Sequence, residues 1–255
     1  APKTRINFTE LVEVMMSKLV KSCYNILLLG APGVGKGTYG KLLAADINAR
    51  IMESGALCRE ASKTHPHIAN IVKSGGLLGD EEIFQMVADY LHSNHYSEDK
   101  QSVLFDGFPR TRNQAKKLHE STLGKEYPLN LAVHFNLPHH ILKDKLLGRR
   151  ICSNNTCKQN YNICDINDKE NGIIMPPMKP KKKDGFCDKC GSELIVREDD
   201  TESIIEHRLN VFYEMNDPLV DFYKSQGILI DYDIKKGVDD YPDILNRIEN
   251  CLLQN

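Results

Sequence analysis

The chain lacks an excess of charge of either sign: 33 Lys and Arg stand against 35 Asp and Glu, a formal net charge of −2. No global basic field therefore points to nucleic acid or to an anionic membrane surface. Aromatic residues are few, at 7%, and are not interleaved with the basic ones as a base-stacking platform would require. There is no apolar run of the ~18 residues that a membrane-spanning helix needs. No internal repeat and no second globular domain is visible. The sequence opens Ala1-Pro2, with neither a signal-peptide pattern nor a myristoylation start. The expected compartment is the cytoplasm, or the mitochondrion if a removed targeting segment preceded residue 1.

What is present is concentrated at Asn25-Ile-Leu-Leu-Leu-Gly-Ala-Pro-Gly-Val-Gly-Lys-Gly-Thr38. The apolar run Ile26 to Leu29 reads as a buried strand. It breaks at Gly30 into a loop carrying Gly33, Gly35 and Gly37 with Lys36 among them, and a helical pattern with Leu42, Leu43 and Ile47 on one side follows. Strand, glycine-rich turn, lysine, hydroxyl and helix make a phosphate-cradling P-loop. Glycines let consecutive backbone N–H groups turn inward on an anion. The helix N-terminus adds partial positive charge, and Lys36 is a point charge for the outer phosphates of a nucleotide. Gly37 stands between the lysine and the hydroxyl, which Thr38 supplies.

Around this motif the chain alternates strands and helices. Thr9 is a candidate cap for an N-terminal helix with Leu11, Val12, Met15 and Leu19 on one face, within an extension over residues 1–22. Arg50 to Glu60 reads as a strand turning into a helix, with Arg59 one turn past Gly55. An apolar loop near Leu78 and Gly79 leads to Asp80, the expected cap of a helix with Ile83, Val87, Tyr90 and Leu91 inward. Ser102 to Asp106 is the next buried strand. Its Asp106 falls at the carboxyl end, the edge where ligands lie in an open α/β sheet, and is a candidate to order Mg²⁺ directly or through water. Leu131 to Leu137 is a further strand, followed by a helix with Ile141, Leu142, Lys145 and Leu146. A helix from Thr201 is expected to kink or break at Pro218, Ile228 to Asp231 is the last strand, and Tyr241 to Leu252 closes the chain.

Of eight cysteines, five lie between Cys152 and Cys190, which suggests a metal site more than a disulfide framework. Cys187-x2-Cys190-Gly191 is a strong zinc-knuckle signal, and Cys152-x4-Cys157 has usable spacing. Four thiolates would close a tetrahedron and make the zinc structural. Cys164 is left over and competes as a ligand. The Lys179 to Lys183 run reads as a solvated loop tip.

Gly30-Ala-Pro-Gly-Val-Gly-Lys-Gly-Thr38, Ser54-Gly-x-x-x-Arg59 and Asp106-Gly-Phe-Pro-Arg-Thr111 together resemble the adenylate kinase family of nucleoside monophosphate kinases, from about Asn25 to the C-terminus. The resemblance implies an α/β fold: a doubly wound, parallel, five-stranded P-loop sheet with helices on both faces, over residues 23–52, 80–145 and 200–255. It implies an acceptor-binding insert at 53–79 and a mobile, zinc-ribbon-like lid at 146–199. It implies Mg²⁺-dependent transfer of a phosphoryl group from ATP or GTP to AMP. Gly33, Gly35, Lys36, Gly37, Thr38, Lys145 and Arg149 match donor-binding positions. Ser54, Arg59, Leu78, Gly107, Arg110, Gln114, Arg197 and Arg208 match acceptor-binding ones. Lys36, Arg149, Arg197 and Arg208 match the group around the transferring phosphoryl. Some members also carry a four-cysteine zinc site in the lid, and a monomer is expected.

Three positions depart from the family pattern. Ala56 replaces an acidic residue, Gly79 leaves the acceptor loop barer, and Lys145 stands where an arginine lies against the donor base. A lysine cannot stack as a guanidinium does, so GTP is expected as a rival to ATP. The hydroxyl of Ser54 and the long lid favour AMP as acceptor. The alternative is a nucleotide-sensing zinc-ribbon protein that binds RNA through its lysine run without kinase activity. Against it stand the balanced charge and the set of phosphate arginines.

Overall fold

The computed structural model describes residues 23–94 and 101–254; the helix expected within residues 1–22 lies outside them. Five parallel strands form the central sheet: β1 (Asn25–Gly30), β2 (Arg50–Glu53), β3 (Val103–Asp106), β4 (Leu129–Asn136) and β10 (Leu229–Asp233), in the order β10-β4-β1-β3-β2. Side chains alternate across a strand. Ile26 and Leu28 therefore enter one apolar cluster, with Leu43, Val133, Leu146 and Ile205, while Leu27 and Leu29 enter another, with Phe105, Phe108, Val87 and Leu118. Both faces are covered by helices, as a parallel sheet requires. The helices are α1 (Lys36–Asp46), α2 (Ser54–Ala61), α3 (Pro66–Ser74), α4 (Asp80–Ser93), α5 (Arg112–Glu120), α6 (Thr122–Glu126), α7 (His139–Leu147), α8 (Glu202–Ser225) and α9 (Tyr241–Gln254). The doubly wound, five-stranded α/β core expected from the sequence is the observed one.

Two local expectations differ from what is seen. Gly79, not Asp80, is the residue before α4; Asp80 opens the helix, and its carboxylate accepts hydrogen bonds from Thr111 and Gln114. Helix α8 runs unbroken through Pro218. Proline removes one backbone donor and crowds the carbonyl one turn earlier. Here Pro218 is exposed, so water can serve that carbonyl. Ile205 and Leu209 pin the first half to one cluster and Leu219 and Tyr223 pin the second half to the other, which keeps the helix continuous.

Between α7 and α8 the chain forms a small three-stranded sheet of β6 (Asn160–Asn162), β5 (Arg149–Cys152) and β9 (Leu194–Ile195), with a hairpin of β7 (Ile166–Asp168) and β8 (Ile173–Met175). The two parts have different allegiances. The sheet has its own minor cluster of Cys152, Tyr161 and Cys187. Ile166, Ile173 and Met175 of the hairpin instead join the main core. Ile174 donates its N–H to Lys235 at 2.8 Å, and Lys235 Nζ donates to the Asn171 carbonyl at 3.1 Å. Among the described residues no helix is long and apolar enough to cross a membrane.

Candidate active site

The carboxyl ends of β1, β2 and β3 place Gly30, Glu53 and Asp106 along one edge of the sheet, with Glu53 beside Asp106 in register. Gly30, Gly33 and Gly35 all have positive φ, at 132°, 87° and 119°. A Cβ on Gly30 would stand 2.5 Å from the Phe135 carbonyl oxygen, and one on Gly33 would stand 2.8 Å from Leu146 Cγ. The glycines are thus needed both for backbone conformation and for close approach. Gly35 precedes α1 without a side-chain cap, so the leading N–H groups of that helix face the loop, in a geometry suited to an anion.

Lys36 curls back across this loop, its ammonium donating to the carbonyls of Gly30 at 2.6 Å and Ala31 at 3.1 Å. Burial pushes its pKa down to about 8; nearby Asp106 opposes this, and Arg110, Arg208 and Arg149 add to it. Asp106 is raised above the ordinary carboxylate range, by burial first, against the pull of Lys36. Gly37 and Thr38 sit in the first turn of α1, where Thr38 N–H donates to Gly35 at 2.8 Å. The small sheet lies over them: Lys41 Nζ donates to the Lys158 carbonyl at 3.0 Å, and Asn160 Nδ2 is 3.8 Å from where a Cβ on Gly37 would stand.

The second group of residues gathers at the ends of β2 and β3. Arg59 and Arg110 converge on Gly55, their guanidinium nitrogens 3.2 and 3.7 Å from its would-be Cβ. Arg110 Nε donates to the Gly107 carbonyl at 2.7 Å, and Arg59 donates to Glu53 at 2.9 Å. Ser54, fully buried, spends its hydroxyl on the same Gly107 carbonyl at 2.5 Å. Gln114 is likewise committed, accepting from Arg110 N–H at 2.7 Å and donating to Asp80 at 2.8 Å. Leu78 is buried in the cluster beneath.

The third group comes from the segment between α7 and α8. Arg149 grips Asp200 with two nitrogens, Arg197 grips Asp199 with two at 2.8 and 2.6 Å, and Arg208 donates to Asp199 at 2.9 Å. Burial lowers Arg208 to about 10, partly offset by Asp199. Burial would raise Asp199, but Arg197 and Arg208 hold it below the usual range. Arg208 also packs on Gly75, where a Cβ would meet its Cγ at 2.7 Å. Asp199 and Asp200 as hubs, and Glu53 as a partner of Arg59, were not expected from the sequence. Their signals were the acidic run Glu198-Asp199-Asp200 after Arg197 and a carboxylate ending a strand, as Asp106 ends its own. Lys145 has no recorded contact with these arginines; its Nζ is 3.8 Å from Met175 Sδ.

The four expected thiols form one group, their sulfurs all within 4.8 Å of one another. A zinc ion with bonds of about 2.3 Å sets tetrahedral sulfurs about 3.8 Å apart. Cys152 and Cys190 are 3.3 Å apart and Cys157 and Cys187 are 3.7 Å apart, so the group can hold zinc. Burial disfavours the Cys187 thiolate, yet hydrogen bonds from Tyr161 and from the backbone of Cys190 and Lys189 bring its pKa down to about 6. Cys164 is not in the group; it packs near Gly148 against the main core.

A family profile described as adenylate kinase matches residues 28–228. The chain is 36% identical over 232 residues to a protein of Plasmodium falciparum named GTP:AMP phosphotransferase, covering 88% of this chain and 96% of that one. It is 36% identical over 228 residues to an adenylate kinase of Solanum tuberosum, covering 86% and 74%. It is 34% identical over 230 residues to an adenylate kinase of Fervidobacterium nodosum, covering 88% and 96%. With a P-loop at the head of a five-stranded parallel sheet, two groups of arginines gathered near its carboxyl edge and these relatives, the chain belongs to the adenylate kinase family and is a nucleoside monophosphate kinase.

Proposed function

We propose that the protein transfers a phosphoryl group reversibly from ATP or GTP to AMP, giving two nucleoside diphosphates. One observation carries the reading most directly. Arg110, Arg149 and Arg208, from three separate stretches of chain, all lie close enough to Lys36 to depress its pKa. Several cations around one half-buried ammonium make a site that a polyanion between them would stabilise. The names of the similar proteins support AMP as the acceptor, and one of them supports GTP as a donor.

The acceptor phosphate is already an anion at neutral pH, so no general base is required, and catalysis is positioning plus charge neutralisation. The N–H groups of Gly33, Gly35 and Gly37, the Thr38 hydroxyl and the Lys36 ammonium hold the donor phosphates. Arg59 and Arg110 hold the acceptor phosphate, since a guanidinium fork matches phosphate better than an ammonium does. Arg149, Arg197 and Arg208 turn from Asp199 and Asp200 toward the group in transit. Within residues 146–199 the thiol-bearing sheet acts as the lid that excludes water, and residues 53–79 act as the acceptor insert.

Asp106, a half-buried carboxylate near Lys36, has the hard-oxygen chemistry to order Mg²⁺ through water. When bound with the nucleotide, Mg²⁺ supplies neutralisation of phosphate charge. Zinc at Cys152, Cys157, Cys187 and Cys190 is structural, because four thiolates leave no open position. A coupled assay crossing ATP and GTP against AMP, GMP, CMP and UMP tests the reaction. Turnover confined to AMP is expected; no turnover with AMP overturns the reading.

A further inference from the structure

Strand β2 ends in a carboxylate that the reaction proposed above does not employ. Glu53 is its last residue and the residue before α2, yet its side chain does not cap that helix. It reaches instead to Arg59, whose Nη2 donates to Glu53 Oε1 at 2.9 Å. No acid within α2 does this for Arg59. Ala56, one turn earlier, has no polar side chain, and Glu60 turns to Lys63 at 2.6 Å. The Arg59 and Glu53 side chains are 38% and 49% exposed, and an ion pair so open to water adds little to the stability of a fold. What the contact fixes is the direction of a long side chain.

While Glu53 takes Nη2, the Nη1 of the same guanidinium lies 3.2 Å from where a Cβ on Gly55 would stand. Arg110 Nη2 comes to the same point at 3.7 Å, from a side chain tied to the Gly107 carbonyl through its Nε at 2.7 Å. Each arginine is anchored by one nitrogen and brings another to Gly55. Like charge opposes the gathering. Burial first and then Arg197 push the pKa of Arg59 below the ordinary arginine value, while Glu53 and Asp199 oppose them. Ordering a free arginine side chain also costs conformational entropy. With Glu53 in place that entropy is lost before any ligand arrives, and the repulsion is partly offset.

We infer that Glu53 is a positioning residue for the acceptor: its hydrogen bond to Arg59 Nη2 holds the guanidinium at Gly55 beside Arg110, so that two forks meet one phosphate together. The inference rests on the acceptor role proposed above for Arg59 and Arg110. Glu53 acts through Arg59 and does not itself touch the phosphate. Carboxylate and phosphate take different nitrogens of one fork, which has five N–H donors to share. Preorganisation of this kind raises affinity without adding a contact to the ligand. Lys36 bonds to Gly30 and Ala31 and not to Glu53, so the donor side should be nearly indifferent to the change.

Steady-state kinetics at saturating triphosphate are measured for the wild type, Glu53→Ala, Glu53→Gln, Arg59→Ala and the double variant, with triphosphate affinity read by titration. Glu53→Ala is expected to raise the KM for AMP about tenfold while kcat and triphosphate affinity stay within about threefold. Glu53→Gln keeps a carbonyl oxygen for Arg59 and should bring the KM back to within about threefold of the wild type. Added to Arg59→Ala, Glu53→Ala should cost nothing more, because its effect passes through Arg59. An unchanged or lowered KM in Glu53→Ala, an equal loss in Glu53→Gln, or a further loss in the double variant overturns the inference while phosphorylation of AMP continues. So does a parallel fall of kcat and triphosphate affinity, which is what a merely structural role would give. Glu53→Met, of similar length and without the acceptor, replaces Glu53→Ala if the shorter side chain unfolds the protein. Wild-type protein inactive with AMP, or Arg59→Ala with an unchanged KM, is a different result and takes down the acceptor reading itself.

Discussion

Lys36 is caught between burial, which favours its neutral form, and Asp106, which favours its charge; burial prevails and its pKa falls to about 8. An ordinary lysine stays charged to about pH 10.4, so this one should lose its charge much earlier. In the free enzyme kcat/KM for the triphosphate is expected to fall as pH rises through about 8, because the ammonium is what meets the phosphates. Bound phosphates favour the charged form, so the same limb in kcat should move to higher pH. A pH profile whose alkaline limb is identical for both parameters would contradict this. Lys36→Met should abolish the limb and lower turnover by orders of magnitude. Arg110→Ala should damage use of the monophosphate while triphosphate affinity, read by titration, stays near normal. The two variants separate the donor and acceptor sides, since Arg110 turns to Gly107 and Gly55 and Lys36 to Gly30 and Ala31.

At the scale of the element, the small sheet of β5, β6 and β9 is too thin to stand on apolar burial. Its cluster rests on Cys152, Tyr161 and Cys187, with Cys157 and Leu194 packed alongside. Metal binding to thiolates is then a large part of its folding free energy. Purified protein should contain about one zinc per chain on the four-thiolate geometry. Cys157→Ser should lose it or bind it far more weakly, and Cys164→Ser should keep it, since Cys164 lies against the main core. Metal analysis of both variants decides the matter: an empty Cys164→Ser protein beside a zinc-loaded Cys157→Ser protein would reverse the ligand assignment.

At the scale of the whole molecule, the segment between α7 and α8 divides into two bodies with different supports. The hairpin buries Ile166, Ile173 and Met175 in the core and bonds to Lys235. The thiol-bearing sheet leans over the P-loop through Lys41 and Lys158. Removing metal should therefore loosen the second body and leave the first in place. Hydrogen exchange after chelation should speed up over residues 149–162 and 185–195, while residues 166–175 and the central strands keep their protection. Equal loss of protection in both parts would show that the hairpin moves with the lid. Activity should fall with the loosening, because an untethered sheet closes poorly over the phosphates.

The arrangement of strand, glycine loop, lysine and helix was legible because each part has a local cause. An apolar run makes a buried strand, glycines permit positive φ, and Tyr39 and Leu43, one turn apart, bury one face of α1. The sheet class, the P-loop site and the two cysteine pairs follow from such short-range rules, and so does the family through its motifs. Other features depend on contacts between residues far apart in the chain, which no local pattern encodes. Pro218 was a reasonable helix breaker until burial on both sides of it fixed α8 as one rod. Cys164 was a possible ligand until packing beside Gly148 took it out of the thiol group. Asp199 and Asp200 became the anchors of three arginines only when β5, the end of the inserted segment and α8 met. The direction of Lys145 was decided by a hairpin some 30 residues downstream. Local sequence sets backbone conformation and burial; which polar groups are spent and which are left for a ligand is a property of the assembled fold.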